Sequence, residues 1–327
     1  MTEYFIAWWN VENLFDKEDA PNRERKVANA VKSDLKGWTE QHVKDKMAAL
    51  ASVIKKMNSD AGPDLIGLCE VENEELLNNL VKEIGIQARE YKVDLIPGPD
   101  KRGIDVAFIY DKKKFEPHIV DGEYKFSHEV VKRSPTRDIL QVNLVTKETP
   151  NKPIIFIANH WYARSAGIYQ SEPYRIIAAE TLSYWLERIK EIHGDGGWPP
   201  VLVMGDFNGL LWERALKEYA KSTVVQEKVE NAKTVPWLFN LMWPLTGTQA
   251  SYYYDDEPYI LDQFLVSKGF MPGESTFSFK VNSVQIYSEP RMMKDGQPRR
   301  MGLPAKNNYD KDGFSDHLPI TMVIEQT

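Results

Sequence analysis

The sequence predicts an α/β fold, on three observations. Apolar runs of strand length at residues 65–69 and 201–205 suit strands covered on both faces. A helix precedes the first of them: Val43, Met47, Leu50, Ala51, Ile54 and Met57 recur at helical spacing, so residues 41–58 form an amphipathic helix. Each half also carries a strand that ends in a carboxylate or amide and is followed by a helix. This loose echo fits two packed sheets.

Length and composition bound the rest. A chain of 327 residues, 42% hydrophobic and 27% charged, is globular and can bury a sizeable core. It is read as a single unit, 1–327, with an inserted loop at 269–312. A net charge of −7 and a pI near 5.5 argue against non-specific coating of nucleic acid, yet leave room for a basic groove around a metal. The single cysteine, Cys69, excludes an internal disulfide and a thiol zinc cluster. MTEYFIAWWN lacks the positive region and the apolar length of a signal peptide, and no segment approaches the roughly 18 apolar residues of a membrane span. A cytoplasmic monomer with no membrane association and no partner protein is expected.

In chain order, residues 4–9 read as an opening strand that places Asn10, Glu12 and Asn13 just beyond its end. Residues 17–36 read as a charged surface loop or frayed helix. The helix at 41–58 stops at Ser59-Asp60-Ala61-Gly62-Pro63, and the strand at 65–69 delivers Glu70 to its end. A carboxylate after five apolar residues is costly unless paired or metal-bound. Glu72 is placed to cap a helix at 74–84, which Gly85 ends. Strands at 91–97 and 104–110 flank a turn carrying Lys101 and Arg102. A strand starts at Ile139 just after Arg137, and another, 154–158, runs into NHWYARSAG with His160 and Arg164.

Residues 173–193 read as a long helix stopped by Gly194, and 212–220 as a shorter one. Residues 223–243 show no period. Asp206-Phe207-Asn208-Gly209 closes the strand at 201–205 as a turn. In the plain reading Asp206 and Asn208 bond their own turn; in the functional reading they face a ligand at the carboxyl end of the strand. The strand at 260–266 carries Asp262 in its interior, which needs a partner. Residues 269–311 hold a basic group, Arg291, Lys294, Arg299 and Arg300, read as disordered or as a binding surface. Ser315-Asp316-His317 then feeds a last strand at 319–324.

WNVENLF, LCEVEN, RGIDVAFIY, NHWYARS, MGDFNG, LDQFLVS and GFSDHLP, in that order, resemble the endonuclease/exonuclease/phosphatase family of divalent-metal phosphodiesterases. The resemblance spans nearly the whole chain. It implies a four-layer α/β/β/α sandwich, two mixed sheets face to face with helices on both outer faces. It also implies roles: Glu70 as principal metal ligand, Asn10 and Glu12 as further metal or phosphate contacts, and Asp316 as another ligand. His317 resembles the histidine on the scissile phosphate, with Asp262 orienting it. Asp206 resembles the residue that aligns or deprotonates the attacking water, Asn208 the amide on the phosphate oxygen, and His160 the histidine near the leaving oxygen in the deoxyribonuclease-like branch.

All-oxygen ligands select Mg²⁺ or Mn²⁺ over zinc; one ion or two is left open. Inositol polyphosphate 5-phosphatases carry tryptophan before their GDxN motif, where this chain has Met204, and sphingomyelinases an apolar hairpin not found here. The basic group, with Arg102, Arg137 and Arg164 as substrate contacts, suits DNA or RNA, and Tyr252–Tyr254 could stack on bases or simply pack. The expected function is a metal-dependent phosphodiesterase, a nuclease foremost. The alternatives are a small-molecule phosphoesterase or a non-catalytic phosphate-binding protein.

Overall fold

The computed structural model describes residues 1–193 and 197–327. Two mixed sheets lie face to face. The first runs, in spatial order, Phe277–Phe279, Ile320–Gln326, Thr2–Leu14, Leu65–Val71, Asp105–Asp111 and Tyr91–Leu95, with Gln285–Ile286 also on Ile320–Gln326. The second runs Ser222–Thr223, Leu238–Asn240, Asp262–Val266, Val201–Asp206, Pro153–His160, Ile139–Thr146 and Phe115–Pro117, with Lys125–His128 also on Ile139–Thr146. Each is built around a parallel pair, Thr2–Leu14 with Leu65–Val71 and Pro153–His160 with Val201–Asp206, with an antiparallel strand on either side. Parallel neighbours need a crossover, and the helices Glu40–Lys56 and Ile168–His193 lie in those connections.

Strand alternation sorts the apolar residues into layers. Ile154, Phe156, Ala158, Leu202 and Met204 join Trp8 and Phe108 in the core between the sheets. Their neighbours Ile155, Ile157, Val201 and Val203 pack on Ala178, Ala179, Leu182, Leu186 and Ile189 of the helix Ile168–His193. Ile176 and Ile177 are only partly buried against that layer. The helices Glu40–Lys56 and Glu74–Ile84 bury Val43, Leu50, Ile54, Leu76 and Leu80 against the first sheet. The result is the expected sandwich.

Gly67 leaves room for its neighbours' side chains: a Cβ there would lie 2.7 Å from Trp8 Cε3 on the next strand and 2.8 Å from Met204 Sδ on the facing sheet. Gly67→Ala is therefore expected to cost about 1–3 kcal/mol by overpacking. The check is a lower urea midpoint with an unchanged slope.

Several elements differ from the sequence reading. The opening strand continues to Leu14, past a register shift between Asn10 and Leu14 where Glu12 and Asn13 adopt φ of 51° and 56°. Residues 17–36 hold a short helix, Arg25–Val31. Asn73, not Glu72, caps Glu74–Ile84 by accepting from the Leu76 amide; Glu72 is taken up by Arg23 at 2.6 Å. The long helix starts at Ile168, so Pro173 lies within it, and the expected stop at Gly194 falls outside the described residues. Residues 212–220 form only the π-type turn Ala215–Tyr219. Residues 223–243 hold a five-residue helix, Gln226–Glu230, and a three-residue strand, Leu238–Asn240. The 269–312 stretch is no free loop: Phe277–Phe279 and Gln285–Ile286 complete the first sheet, and Met293–Lys294 pairs with Gln297–Pro298.

Candidate active site

Register brings the site together. His160, Asp206 and Asp262 are direct cross-strand partners on three adjacent strands, in the row beyond Ala158, Met204 and Phe264 of the inter-sheet core. They face the first sheet, whose parallel pair loses its regular register nearby, at Asn10 and Glu70, while the turn before the last strand adds Asp316 and His317. Glu70 and Asn208 hold left-handed backbone, φ 66° and 46°, a strain that packed surroundings sustain at functional positions.

Asp206 is the hub. Its Oδ1 accepts the Asn208 backbone N–H at 2.9 Å, the turn bond of the plain reading. Its Oδ2 accepts from Asn10 Nδ2 at 3.1 Å and stands 3.8 Å from Nε2 of both His160 and His317. The plain reading of the turn holds, and the second carboxylate oxygen faces Asn10 and the two histidines. His317 Nδ1 donates to Asp262 Oδ2 at 2.7 Å, and Asp262 Oδ1 accepts from Trp8 Nε1 at 2.9 Å. Trp9 Nε1 donates to the His317 carbonyl. Glu70 Oε2 accepts the Asn13 amide at 2.9 Å, and its Oε1 lies 3.8 Å from His160 Nε2.

Environment drives the titrating groups apart. Burial opposes charge on His317, but the Asp262 and Asp206 carboxylates outweigh it and carry the imidazole up to about 10. Burial, helped by the cations Arg137 and Arg102, drives His160 well below its ordinary value. Burial lifts Asp206 to about 6, and burial with the neighbouring Glu12 lifts Asp316 to about 7. A charged and a neutral histidine thus flank one carboxylate, a separation of roles typical of acid–base sites. The His317 ring is expected to stay protonated by NMR from pH 7 to near 10. Its raised value adds stability that is whole below its ordinary 6.5 and fades as pH climbs through about 10. A ring midpoint below 7 would refute this.

Other expected residues are placed differently. The Asn10 amide is spent on Asp206 and on the Glu12 N–H, so it positions the hub. Glu12 is covered: its Oε1 accepts from Arg300 and its Oε2 from the Met301 and Gly302 amides. Asn208 Nδ2 donates to the Trp161 carbonyl. Arg137 is buried, tied to that same carbonyl and to Asp100, so it braces the site rather than facing solvent. Arg164 is paired with Glu213 and lies over the Tyr259 ring. Of the three arginines only Arg102 has no side-chain partner among the described residues.

The basic group is internally matched, Arg291 by Glu289, Lys294 and Arg299 by Asp310, and Arg300 by Glu12, so it offers no unopposed field to a polyanion. Sequence reading missed Trp8 and Lys46 as site residues; Tyr252, read there as stacking on bases or packing, has its ring 4.6 Å from that of His317. Lys46 was detectable, three residues from Val43 and four from Leu50 on the helix's buried stripe.

No group of three or more His, Cys, Asp or Glu side chains among the described residues forms a ready metal cage. Magnesium is commonly held by one or two carboxylates, with water and substrate phosphate completing the shell. Glu70 and Asp316 fit that pattern, since both are partly exposed carboxylates and crowding with Glu12 and Glu70 disfavours charge on Asp316. Glu12 does not fit.

Among the described residues no helix is long and apolar enough to cross a membrane. No curated protein matches the chain. Solved structures do. An endonuclease/exonuclease/phosphatase protein from Bacteroides vulgatus is 15% identical, with TM-score 0.60 and 100% of each chain covered. A mannosyl-6-phosphatase from Bacteroides thetaiotaomicron is 15% identical, TM-score 0.57, over 98% of this chain and 99% of that one. The catalytic domain of human Nocturnin, with bound sulfate, is 15% identical, TM-score 0.56, over 99% and 95%. At such identities they establish the fold alone. The model of the endonuclease/exonuclease/phosphatase family matches residues 5–326, and the chain belongs to that family.

Proposed function

We propose that this chain is a divalent-metal-dependent phosphodiester hydrolase acting on a nucleic-acid end or a dinucleotide. The observation that carries the reading is the hub: one carboxylate lifted to about 6, set 3.8 Å from a charged and from a neutral histidine. Asp206 takes the proton of an attacking water near neutral pH. Protonated His317, held by Asp262, donates to a phosphate oxygen as negative charge grows there. Neutral His160 hydrogen-bonds the leaving oxygen, which takes up a proton from solvent as its bond to phosphorus breaks. The second Nδ2 hydrogen of Asn208, beyond the one given to the Trp161 carbonyl, orients the phosphate. Magnesium or manganese held by Glu70 and Asp316 would supply neutralising charge to the phosphoryl group.

A cavity of about 420 Å³ adjoins the hub, lined by Arg164, Asn208, Tyr252, Tyr254, Tyr259 and Leu261. Its tyrosine walls suit one flat ring beside the phosphate. With the basic group internally paired, a short substrate is favoured over a long duplex.

The test incubates purified protein with supercoiled plasmid, single-stranded DNA, RNA, a dinucleotide, bis-nitrophenyl phosphate and a sugar phosphate. Mg²⁺, Mn²⁺ and EDTA are compared, with His317→Ala as control. Metal-dependent cleavage of dinucleotide or single strand, absent from the variant, is expected. Turnover of the sugar phosphate alone would move the assignment to small phosphoesters, and no turnover with any substrate would overturn it.

A further inference from the structure

The flank of the site formed by Glu12 and Asp316 is already neutralised. Glu12, with only 3% of its side chain exposed, has Arg300 Nη2 at 2.7 Å and Lys46 Nζ at 3.9 Å. It also accepts Arg300 Nε at 2.8 Å and the Met301 amide at 3.0 Å. The same Nη2 lies 3.7 Å from Asp316 Oδ2. Lys46, also buried, donates to the Phe314 carbonyl, two residues before Asp316. The backbone that aims the amides is fixed: Gly302 has φ +66°, and a Cβ there would meet the Asn308 carbonyl oxygen at 2.4 Å.

Two carboxylates thus meet two cations belonging to the chain itself. A divalent ion entering here would have to strip Glu12 of its partners, and breaking a buried ion pair is strongly unfavourable. Glu70 has no lysine or arginine ion-pair partner among the described residues; its neighbour is His160 Nε2 at 3.8 Å.

We propose that Arg300, backed by Lys46, stands where a second metal ion would otherwise sit, so that the chain takes one divalent ion, at Glu70, with Asp316 shared between that ion and Arg300, and carries the other positive charge as a fixed side chain. This rests on the metal-dependent reading above, but its test is a count of ions rather than a rate.

Equilibrium dialysis against Mn²⁺ is expected to give one ion per wild-type chain and none for Glu70→Gln. Arg300→Ala, checked by circular dichroism, should bind two, because Glu12 and Asp316 regain net negative charge. Arg300→Lys, which keeps the charge should the alanine variant fail to fold, should bind one. Two ions on the wild type would overturn the proposal, as would one on a folded Arg300→Ala protein or two on Arg300→Lys. No ion on the wild type would overturn it together with the metal-dependent reading, and so separates the two failures.

Discussion

Replacing Asp206 with asparagine is expected to lower kcat on bis-nitrophenyl phosphate by about 10²–10⁴-fold, the range for losing a general base. The fold should survive, because an asparagine can still accept the Asn208 turn bond that Oδ1 now accepts. What disappears is the proton acceptor and one of the two charges that keep His317 protonated. The wild-type rate should fall as pH drops through about 6, where Asp206 becomes protonated. A variant within ten-fold of wild type would remove Asp206 from the chemistry.

The second large effect is expected at His317. His317→Ala should cost a similar factor of about 10²–10⁴, and Asp262→Asn should cost it in a pH-dependent way. In the wild type the imidazole is charged until about pH 10, mainly because Asp262 and Asp206 outweigh burial. Without the Asp262 charge its value falls, so Asp262→Asn should lose activity between about pH 7 and pH 9. The wild type, above its Asp206 limb near pH 6, keeps its activity across that window, and His317→Ala has no histidine to titrate there. Parallel profiles for Asp262→Asn and wild type would show that the pair has only a packing role.

Much of the site was legible because its chemistry sits at strand ends. His160 and Asp206 each end a strand, Glu70 is the last residue but one of its strand, and Asp262, expected inside a strand, begins one, so a polar residue stood out against an apolar run. Arg300 was not legible as a site residue: its partner Glu12 is 288 positions away, and a basic group gives no sign of which acid it meets. Trp8 was read as core, which it is, but its indole N–H also holds Asp262 across the inter-sheet space. Residues 223–243 defeated periodicity for another reason. Elements of five and three residues are too short to show a repeat.

The pairing of the opening strand with Ile320–Gln326, Thr2 opposite Gln326, has a consequence for when the site exists during synthesis. The second sheet can gather His160, Asp206 and Asp262 once its own strands are made. Asp316 and His317 arrive only as the last strand docks beside the first, the most distant pairing in the sheet, and such long-range closure is slow. A growing chain therefore carries half a centre until its final sheet strand leaves the ribosome.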